Sequence, residues 1–120
     1  MIFDTNVLIY MSKYLINLNN LPIEKASISV ITKIEALGFS FTNIEEHQLL
    51  QDICNELKVI PLSDAIAEET IRIRASNRIK LPDAIIYATA LVQKTPLLTN
   101  NIADFKAIGN GVELINPFTL

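Results

Sequence analysis

Residues 1–10 of the chain, MIFDTNVLIY, place an acid between two apolar runs. The run at residues 1–3 predicts a short buried strand, and residues 5–14 predict a helix with Thr5 and Asn6 as candidate N-caps. Asp4 therefore lies beside a buried strand, where Asx-type capping of the next helix is its one structural explanation. In open α/β sheets, ligand sites lie beyond the carboxyl ends of the strands. The position of Asp4 favours a functional acid.

The rest of the chain alternates β-rich and helical patterns. Further strands are predicted at residues 27–30, 59–62, 97–99 and 112–115, and helices at residues 32–41, 44–57, 64–76, 81–92 and 102–107. The segment 81–92 is apolar nearly all round and has Pro82 in its first turn, which is typical of a buried central helix. Alternating strands and helices favour right-handed crossovers. The predicted fold class is α/β, with three layers and a mostly parallel sheet covered on both faces.

Helical spacing also predicts which residues of two helices face the core. For residues 44–57 they are Ile44, Leu49, Ile53 and Leu57, and for residues 64–76 they are Ile66, Thr70 and Ile73. His47, the single histidine, is predicted at the surface because it lies among Glu45, Glu46 and Gln48 on a polar helix face. No second His or Cys lies at metal-binding spacing from it. Cys54 fits a semi-buried helix position and lacks the His and Asp context of a nucleophile.

Length, charge and cysteine content limit the class of protein. The 120 residues suffice for one domain and are too few for two. A single cysteine excludes an internal disulfide framework and fits a reducing cytoplasm. No apolar run reaches the length of a membrane helix, and no basic stretch precedes the first apolar run as in a signal peptide. The net charge of −3 disfavours nucleic-acid binding by bulk charge, although divalent cations in an acidic cleft would change that balance.

Three more acids accompany the predicted strand ends and helix starts: Glu35 in ISVITKIEALGF, Asp83 in KLPDAIIYATAL and Asp104 in TNNIADF. One end of one sheet could gather them with Asp4. Clustered carboxylates repel each other, and hard divalent cations with oxygen ligands, such as magnesium, make such a cluster tolerable. A metal that lowers the pKa of a bound water is the apparatus of phosphodiester hydrolysis.

Local pattern offers each of these three acids a structural role as well. Thr32-x-x-Glu35 matches a capping box, as does Thr42-x-x-Glu45 at the next helix. Asp83 is a first-turn acid favoured by the helix dipole, and Asn101-x-x-Asp104 matches another cap. On local pattern alone, the structural and functional interpretations of these acids are evenly balanced.

Four segments in order, FDTNVLIY, SVITKIEALGF, LPDAIIYATAL and LLTNNIADF, followed by VELINP, resemble the PIN-domain family, specifically VapC toxins of type II toxin–antitoxin systems. The resemblance covers essentially the whole chain, so residues 1–120 are expected to form a single PIN domain. It implies a PIN-like three-layer α/β/α sandwich. It also implies a metal-dependent endoribonuclease that hydrolyses RNA phosphodiester bonds with metal-activated water.

The resemblance further implies the roles of individual residues. The expected catalytic acids are Asp4, Glu35, Asp83 and Asp104. Of these, Asp4, Asp83 and Asp104 are expected to ligate Mg²⁺ or Mn²⁺, while Glu35 would orient a water or ligate a second ion. Hydrogen bonds that hold the carboxylates in place are expected from Thr5, Asn6, Thr99 and Asn101. Asn101 stands where some relatives carry an acid, which weakens the case for the fourth acid.

Partners follow from the same resemblance: a homodimer, an RNA substrate and a small antitoxin whose tail would cross the cleft with an Arg or Lys near the acids. Helices at residues 15–21 and 44–57 are expected to form the groove for the antitoxin. Candidate RNA contacts are Arg78, Lys80 and, more weakly, Lys33. The other basic residues of RIRASNRIK are interpreted as a solvated helix face, with an i,i+4 pair of Glu68 and Arg72.

Several alternatives stay open or are disfavoured. A catalytically silent PIN-fold interaction module is the non-enzyme alternative, favoured by Asn101 and the acidic balance. A haloacid-dehalogenase-type phosphatase needs a second acid two residues after Asp4, where Asn6 stands. A receiver-like domain needs paired acids after the first strand and a lysine after a late strand, and the sequence has neither. Base stacking by Tyr10, Tyr14 and Phe41 is possible, but packing in the core or at a dimer seam is the preferred interpretation.

Overall fold

The computed structural model describes residues 1–38 and 43–120. Its strands are β1 (Ile2–Phe3), β2 (Ser27–Ser29), β3 (Lys58–Ile60), β4 (Leu97–Leu98) and β5 (Leu114–Ile115). Its helices are α1 (Thr5–Ser12), α2 (Val30–Leu37), α3 (Ile44–Glu56), α4 (Asp64–Ser76), α5 (Leu81–Gln93) and α6 (Ile102–Lys106). The strands form one sheet in the order β3-β2-β1-β4-β5, and all four pairings are parallel. The predicted α/β class with a parallel sheet is confirmed.

Side chains of the central strands alternate between two apolar cores. Ile2 and Leu97 point into one core, which α4, α5 and α6 cover. Phe3 and Leu98, each the next residue along its strand, point into the other core, which α1 and α3 cover. The molecule therefore has three layers, α/β/α. Helix α5 is the buried central helix that the sequence predicted, because its residues from Ala84 to Ala90 are all buried.

The order in which strands are added to the sheet reverses at β1, while the strands themselves stay parallel. From β1 the chain passes to β2 and β3 on one side, then crosses through α4 and α5 to β4 and β5 on the other side. Helices that precede and follow this crossover consequently cover opposite faces. The reversal leaves a crevice at the carboxyl ends of β1 and β4, which is where open parallel sheets bind ligands.

Several element boundaries differ from the sequence-based predictions. Helix α4 has the predicted bounds, but α2 begins at Val30 rather than residue 32, because the Ser29 side chain accepts a hydrogen bond from the Ile31 N–H and caps the helix there. The predicted helix at residues 15–21 is wrong, since the only helical hydrogen bonding there is a single 3₁₀ turn at Leu18–Asn20. Phe41 and Thr42 lie outside the described residues.

The inner face predicted for α3 is wrong in part. Ile44 is 82% exposed, while Leu50, Cys54 and Leu57 are buried. The buried residues follow an i, i+4, i+7 spacing of their own, and packing against α1 selects that stripe. The face predicted for α4 is confirmed, since its three residues are buried. Within residues 1–38 and 43–120, no helix is long and apolar enough to span a membrane.

Candidate active site

A cleft of about 490 Å³ opens at the carboxyl edge of the sheet. The four acids singled out by the sequence come from four different segments of the chain, and all of them line this cleft. Its lining residues are Asp4, Thr5, Asn6, Glu35, Arg78, Ile79, Lys80, Pro82, Asp83, Asn101, Asp104 and Ala107. The tertiary structure thus gathers acids that are separated by up to 100 positions in the sequence.

Asp4 lies at the floor of the cleft, directly after β1. Its Oδ1 accepts a hydrogen bond from the Thr5 N–H at 2.8 Å, and its Oδ2 accepts one from the Thr99 hydroxyl at 2.7 Å. Asp4 is therefore the N-cap of α1, and the predicted caps Thr5 and Asn6 are wrong. The bond to Thr99 joins the carboxyl ends of β1 and β4 across the crevice. Both carboxylate oxygens are fixed in position.

Burial raises the pKa of Asp4 from 3.8 to about 6. The hydrogen bond from Thr99 opposes this shift, the negative charge of Asp83 adds to it, the bond from Thr5 opposes it, and the charge of Glu35 adds again. Asp4 is only 3% exposed, so its negative charge has little access to water. A cation in the cleft would relieve that cost.

Asp83 is a first-turn residue of α5, directly after Pro82. Burial is the main cause that raises its pKa, and the charges of Glu35 and Asp104 raise it further while Lys80 opposes them. Asp83 is thus within electrostatic reach of the other acids of the cleft.

Glu35 projects from the second turn of α2. Because Ser29 caps this helix, the predicted capping box of Thr32 and Glu35 is wrong. Glu35 Oε1 instead accepts a hydrogen bond from the Thr5 hydroxyl at 2.8 Å, and that hydroxyl lies 3.1 Å from the Thr32 hydroxyl. The structural explanation of Glu35 as a cap is removed, and its carboxylate is held at the cleft by the residue that follows Asp4.

Asp104 and Asn101 also line the cleft, from the start of α6. Asn101 occupies the N-cap position, but its side chain makes no capping hydrogen bond, so the predicted Asn101-x-x-Asp104 cap is not formed. The backbone N–H of Asn101 donates to the Thr99 hydroxyl at 3.0 Å. Thr99 therefore connects Asp4 to the N-terminal end of α6, the helix that carries Asp104.

The basic residues divide into two groups. Arg78 and Lys80 line the cleft. Lys33 is not among the lining residues, and its charge instead acts on Cys54, whose pKa is raised by burial and lowered by Lys33. Arg72 pairs with Glu69, so the predicted i,i+4 pair with Glu68 is replaced by an i,i+3 pair.

Two residues of the site have roles that sequence reasoning missed. Ser29 caps the helix that carries Glu35, and the buried Thr32 hydroxyl lies against that of Thr5. Thr32 stands one helical turn before Glu35, and this i,i+3 spacing is the signal that could have placed both side chains on one face.

The donor set of the cleft consists of carboxylate oxygens, which hard divalent cations prefer. The charges of Asp83 and Glu35 raise the pKa of Asp4, and those of Glu35 and Asp104 raise that of Asp83, so a cation would find concentrated negative charge here. Among residues 1–38 and 43–120, no group of three or more His, Cys, Asp or Glu side chains converges tightly enough to enclose an ion. The residues therefore suit a divalent cation by the chemistry of their oxygen donors, while the carboxylates are spread over the cleft rather than gathered around one point.

Residues 1–110 match the family model of the PIN domain. The chain belongs to the PIN-domain family. A search of curated proteins found no match to this PIN domain. Among solved structures, it is 32% identical to a chain of a toxin–antitoxin complex from Klebsiella pneumoniae, with a TM-score of 0.77 and 98% and 97% of the two chains covered.

Two further solved structures share the fold. One is VapBC2 from Rickettsia felis bound to a promoter DNA fragment, at 24% identity, a TM-score of 0.80 and 97% and 98% coverage. The other is DNA-bound VapBC from Salmonella typhimurium, at 23% identity, a TM-score of 0.81 and 96% coverage of both chains. The resemblance to the PIN-domain family is confirmed, and the 32% identical chain is part of a toxin–antitoxin complex.

Proposed function

We propose that this PIN domain is a metal-dependent endoribonuclease, the toxin of a type II toxin–antitoxin system that acts in the cytoplasm. PIN domains of the VapC type are nucleases, and the chain belongs to that family. The observation that carries the proposal is the cleft itself: Asp4, Glu35, Asp83 and Asp104 line it together. Burial, and after it the charges of neighbouring acids, raise the pKa of Asp4 and Asp83, and a bound divalent cation would relieve this cost of holding them ionised.

In this proposal Asp4, Asp83 and Asp104 would hold Mg²⁺ or Mn²⁺. The bound cation would supply charge neutralisation and polarisation of the scissile phosphate. Thr5 and Thr99 fix the carboxylate of Asp4 through their hydrogen bonds.

Other residues of the cleft position the reactants. Glu35 is oriented by the Thr5 hydroxyl and would align the attacking water and accept its proton. Asn6 and Asn101 line the cleft and would donate hydrogen bonds to a substrate phosphate. Arg78 and Lys80 bring positive charge to the same cleft and would bind the RNA backbone.

An antitoxin and a second copy of the chain are the proposed protein partners. The 32% identical relative is part of a toxin–antitoxin complex. An apolar hollow of about 250 Å³ lies between α1, α3 and two 3₁₀ turns, at Leu18–Asn20 and Ile23–Lys25. It supports the expected groove, although residues 15–21 do not form a helix. It is lined by Met11, Leu18, Ile23, Asp52, Ile53, Glu56 and Leu57.

Cleavage of RNA by the purified, antitoxin-free protein tests the proposed function. We expect cleavage with Mg²⁺ or Mn²⁺, none in EDTA, and none for Asp83→Asn. Glu45→Gln, at an exposed acid of α3 outside the cleft, should cleave as the unmodified protein does. Cleavage that persists in EDTA or in Asp83→Asn would contradict the metal mechanism. Sequencing the RNA ends after expression in a bacterium, beside growth arrest, would identify the cleaved sites.

A catalytically silent interaction module is the second candidate. It is favoured by Asn101 and by carboxylates that do not converge on one point among the described residues. This candidate predicts antitoxin binding without RNA cleavage, and no Mg²⁺ or Mn²⁺ binding in isothermal titration calorimetry. Metal binding that is abolished in Asp83→Asn would exclude it.

A further inference from the structure

A partly exposed aromatic pair lies at the same edge of the sheet as the cleft. The rings of Tyr10 and Phe118 have centroids 5.3 Å apart and an interplanar angle of 54°. Phe118 is 50% exposed. The pair Tyr87–Phe105, in contrast, belongs to a buried core. Phe118 therefore presents aromatic surface to solvent, whereas Tyr10 is partly buried and packs against the core that α1 and α3 cover.

The elements that carry this pair also build the cleft. Tyr10 lies one helical turn after Asn6 on the same side of α1, and Asn6 lines the cleft. Phe118 follows β5, whose carboxyl end pairs with that of β4. Because the strands are parallel, the segments after β1, β4 and β5 emerge at one edge. The aromatic pair is thus continuous with the site that holds the acids.

Asn100 connects the aromatic pair to the segment between β4 and α6. Its side-chain amide donates a hydrogen bond to the Tyr10 hydroxyl at 3.2 Å. It stands between Thr99, which holds Asp4, and Asn101, which lines the cleft. Asn100 is exposed, so its amide oxygen is accessible to a donor on a ligand. An amide held beside an aromatic surface offers both hydrogen bonding and stacking.

We propose that Tyr10, Phe118 and Asn100 form a nucleobase-binding subsite for single-stranded RNA, an inference that rests on the proposed ribonuclease function. An unpaired base stacks on the exposed ring of Phe118, and its edge accepts from or donates to the amide of Asn100. The adjoining phosphate then lies toward the cleft. Since every base has a π-face, the stacking accepts any base, and Asn100 supplies the preference among them.

Tryptophan fluorescence tests this subsite directly, because the chain contains no tryptophan. Phe118→Trp places a single reporter in the subsite, in an Asp83→Asn background that prevents cleavage. We expect a single-stranded oligoribonucleotide to quench it and an abasic oligonucleotide of equal length to leave it unchanged. Tyr14→Trp is the matched control, because Tyr14 is 74% exposed and lies beyond the end of α1; it should not be quenched.

Affinity measurements give a second, independent readout. In fluorescence anisotropy with labelled RNA, Phe118→Ala should weaken binding about fivefold or more, the loss of one base–aromatic stack. Phe118→Tyr should retain the affinity. Circular dichroism melting of each variant verifies that the fold is intact.

The outcomes distinguish failure of the proposed subsite from failure of the proposed ribonuclease function. Equal quenching at both tryptophan positions, or none at either while anisotropy shows bound RNA, overturns the subsite and leaves the ribonuclease proposal standing. Absence of RNA binding in every variant, including the unmodified chain, contradicts the proposed function itself. If Phe118→Ala keeps its RNA affinity but dissociates a dimer in sedimentation, the pair belongs to a protein interface and the subsite is wrong.

Discussion

At the scale of single residues, Asp4 combines two demands that conflict. It caps α1 and ties β1 to β4 through Thr5 and Thr99, yet burial and neighbouring acids raise its pKa to about 6. Between pH 3.8 and about 6, the folded protein holds a proton on Asp4 that the unfolded chain has released. Its contribution to stability is therefore greatest at low pH and is lost as the pH rises through about 6. At neutral pH the ionised acid destabilises the metal-free fold.

Asp4→Asn is accordingly expected to stabilise the protein at pH 7.5 in EDTA, by up to about 3 kcal/mol for a shift of roughly two pKa units. The amide can still accept from the Thr5 N–H. Urea unfolding at pH 7.5 and near pH 4 measures the effect, and the gain should shrink toward zero at the lower pH. A destabilisation of equal size at both pH values would contradict the inference that ionised Asp4 destabilises the metal-free fold at neutral pH.

Metal binding should depend on the same titration. We expect Mn²⁺ or Mg²⁺ to raise the melting temperature of the unmodified protein at pH 7.5, because the cation binds the folded state alone. The increase should fall as the pH drops through about 6, where a proton occupies Asp4. Thermal melts with and without metal across this range check it, and Asp83→Asn should show little increase at any pH.

At the scale of elements, α2 is the helix whose start was mispredicted and whose position matters most for the cleft. Ser29 ends β2 and caps α2, so the strand passes into the helix without a loop. Two turns later Glu35 meets the Thr5 hydroxyl from the start of α1. Two helices that begin at the same edge of the sheet thus position one carboxylate between them.

A comparison of two serine caps, Ser29 and Ser63, distinguishes an effect on stability from an effect on RNA cleavage. Ser29→Ala should destabilise the fold by about 1 kcal/mol and reduce RNA cleavage several-fold, because it loosens the first turn of the helix that carries Glu35. Ser63 caps α4 in the same manner through the Ile66 N–H, and α4 carries none of the four acids. Ser63→Ala should therefore cost similar stability and leave cleavage unchanged. Equal loss of cleavage in both variants would show a general stability effect.

At the scale of the whole molecule, the chain has a net charge of −3. Two of its basic side chains, Arg78 and Lys80, nevertheless line the cleft where RNA is proposed to bind. The double variant Arg78→Gln/Lys80→Gln should weaken RNA binding and reduce the slope of log K against log salt by about 0.7 per lost phosphate contact. Lys25→Gln/Lys58→Gln removes the same charge before β2 and at the start of β3, the opposite edge of the sheet, and should change neither quantity. An equal effect of both pairs in a salt titration would assign binding to overall charge.

Much of the fold and of the candidate site could be predicted from local sequence. The alternation of apolar strands and helices, the bounds of α4 and the buried α5 follow from periodicity and helix signals within a few neighbouring residues. The four acids were singled out because each follows a strand or begins a helix. The segments that carry them also sufficed to indicate the PIN-domain family, which the match over residues 1–110 confirms.

The sequence by itself therefore determined the order of the strands and of α1 to α6, apart from a wrongly predicted helix at residues 15–21, as well as the fold class and the family of this protein. It also indicated which acids the fold would bring to one edge. Only the tertiary structure decided which hydroxyl holds which carboxylate, and that Arg78 and Lys80 but not Lys33 line the cleft. It also decided that Asp4 both caps α1 and has a pKa raised by burial. The physical reason is range. Hydrogen bonds such as that from Thr99 to Asp4 join residues 95 positions apart, and a pKa depends on burial and charges that the chain assembles only when the sheet closes.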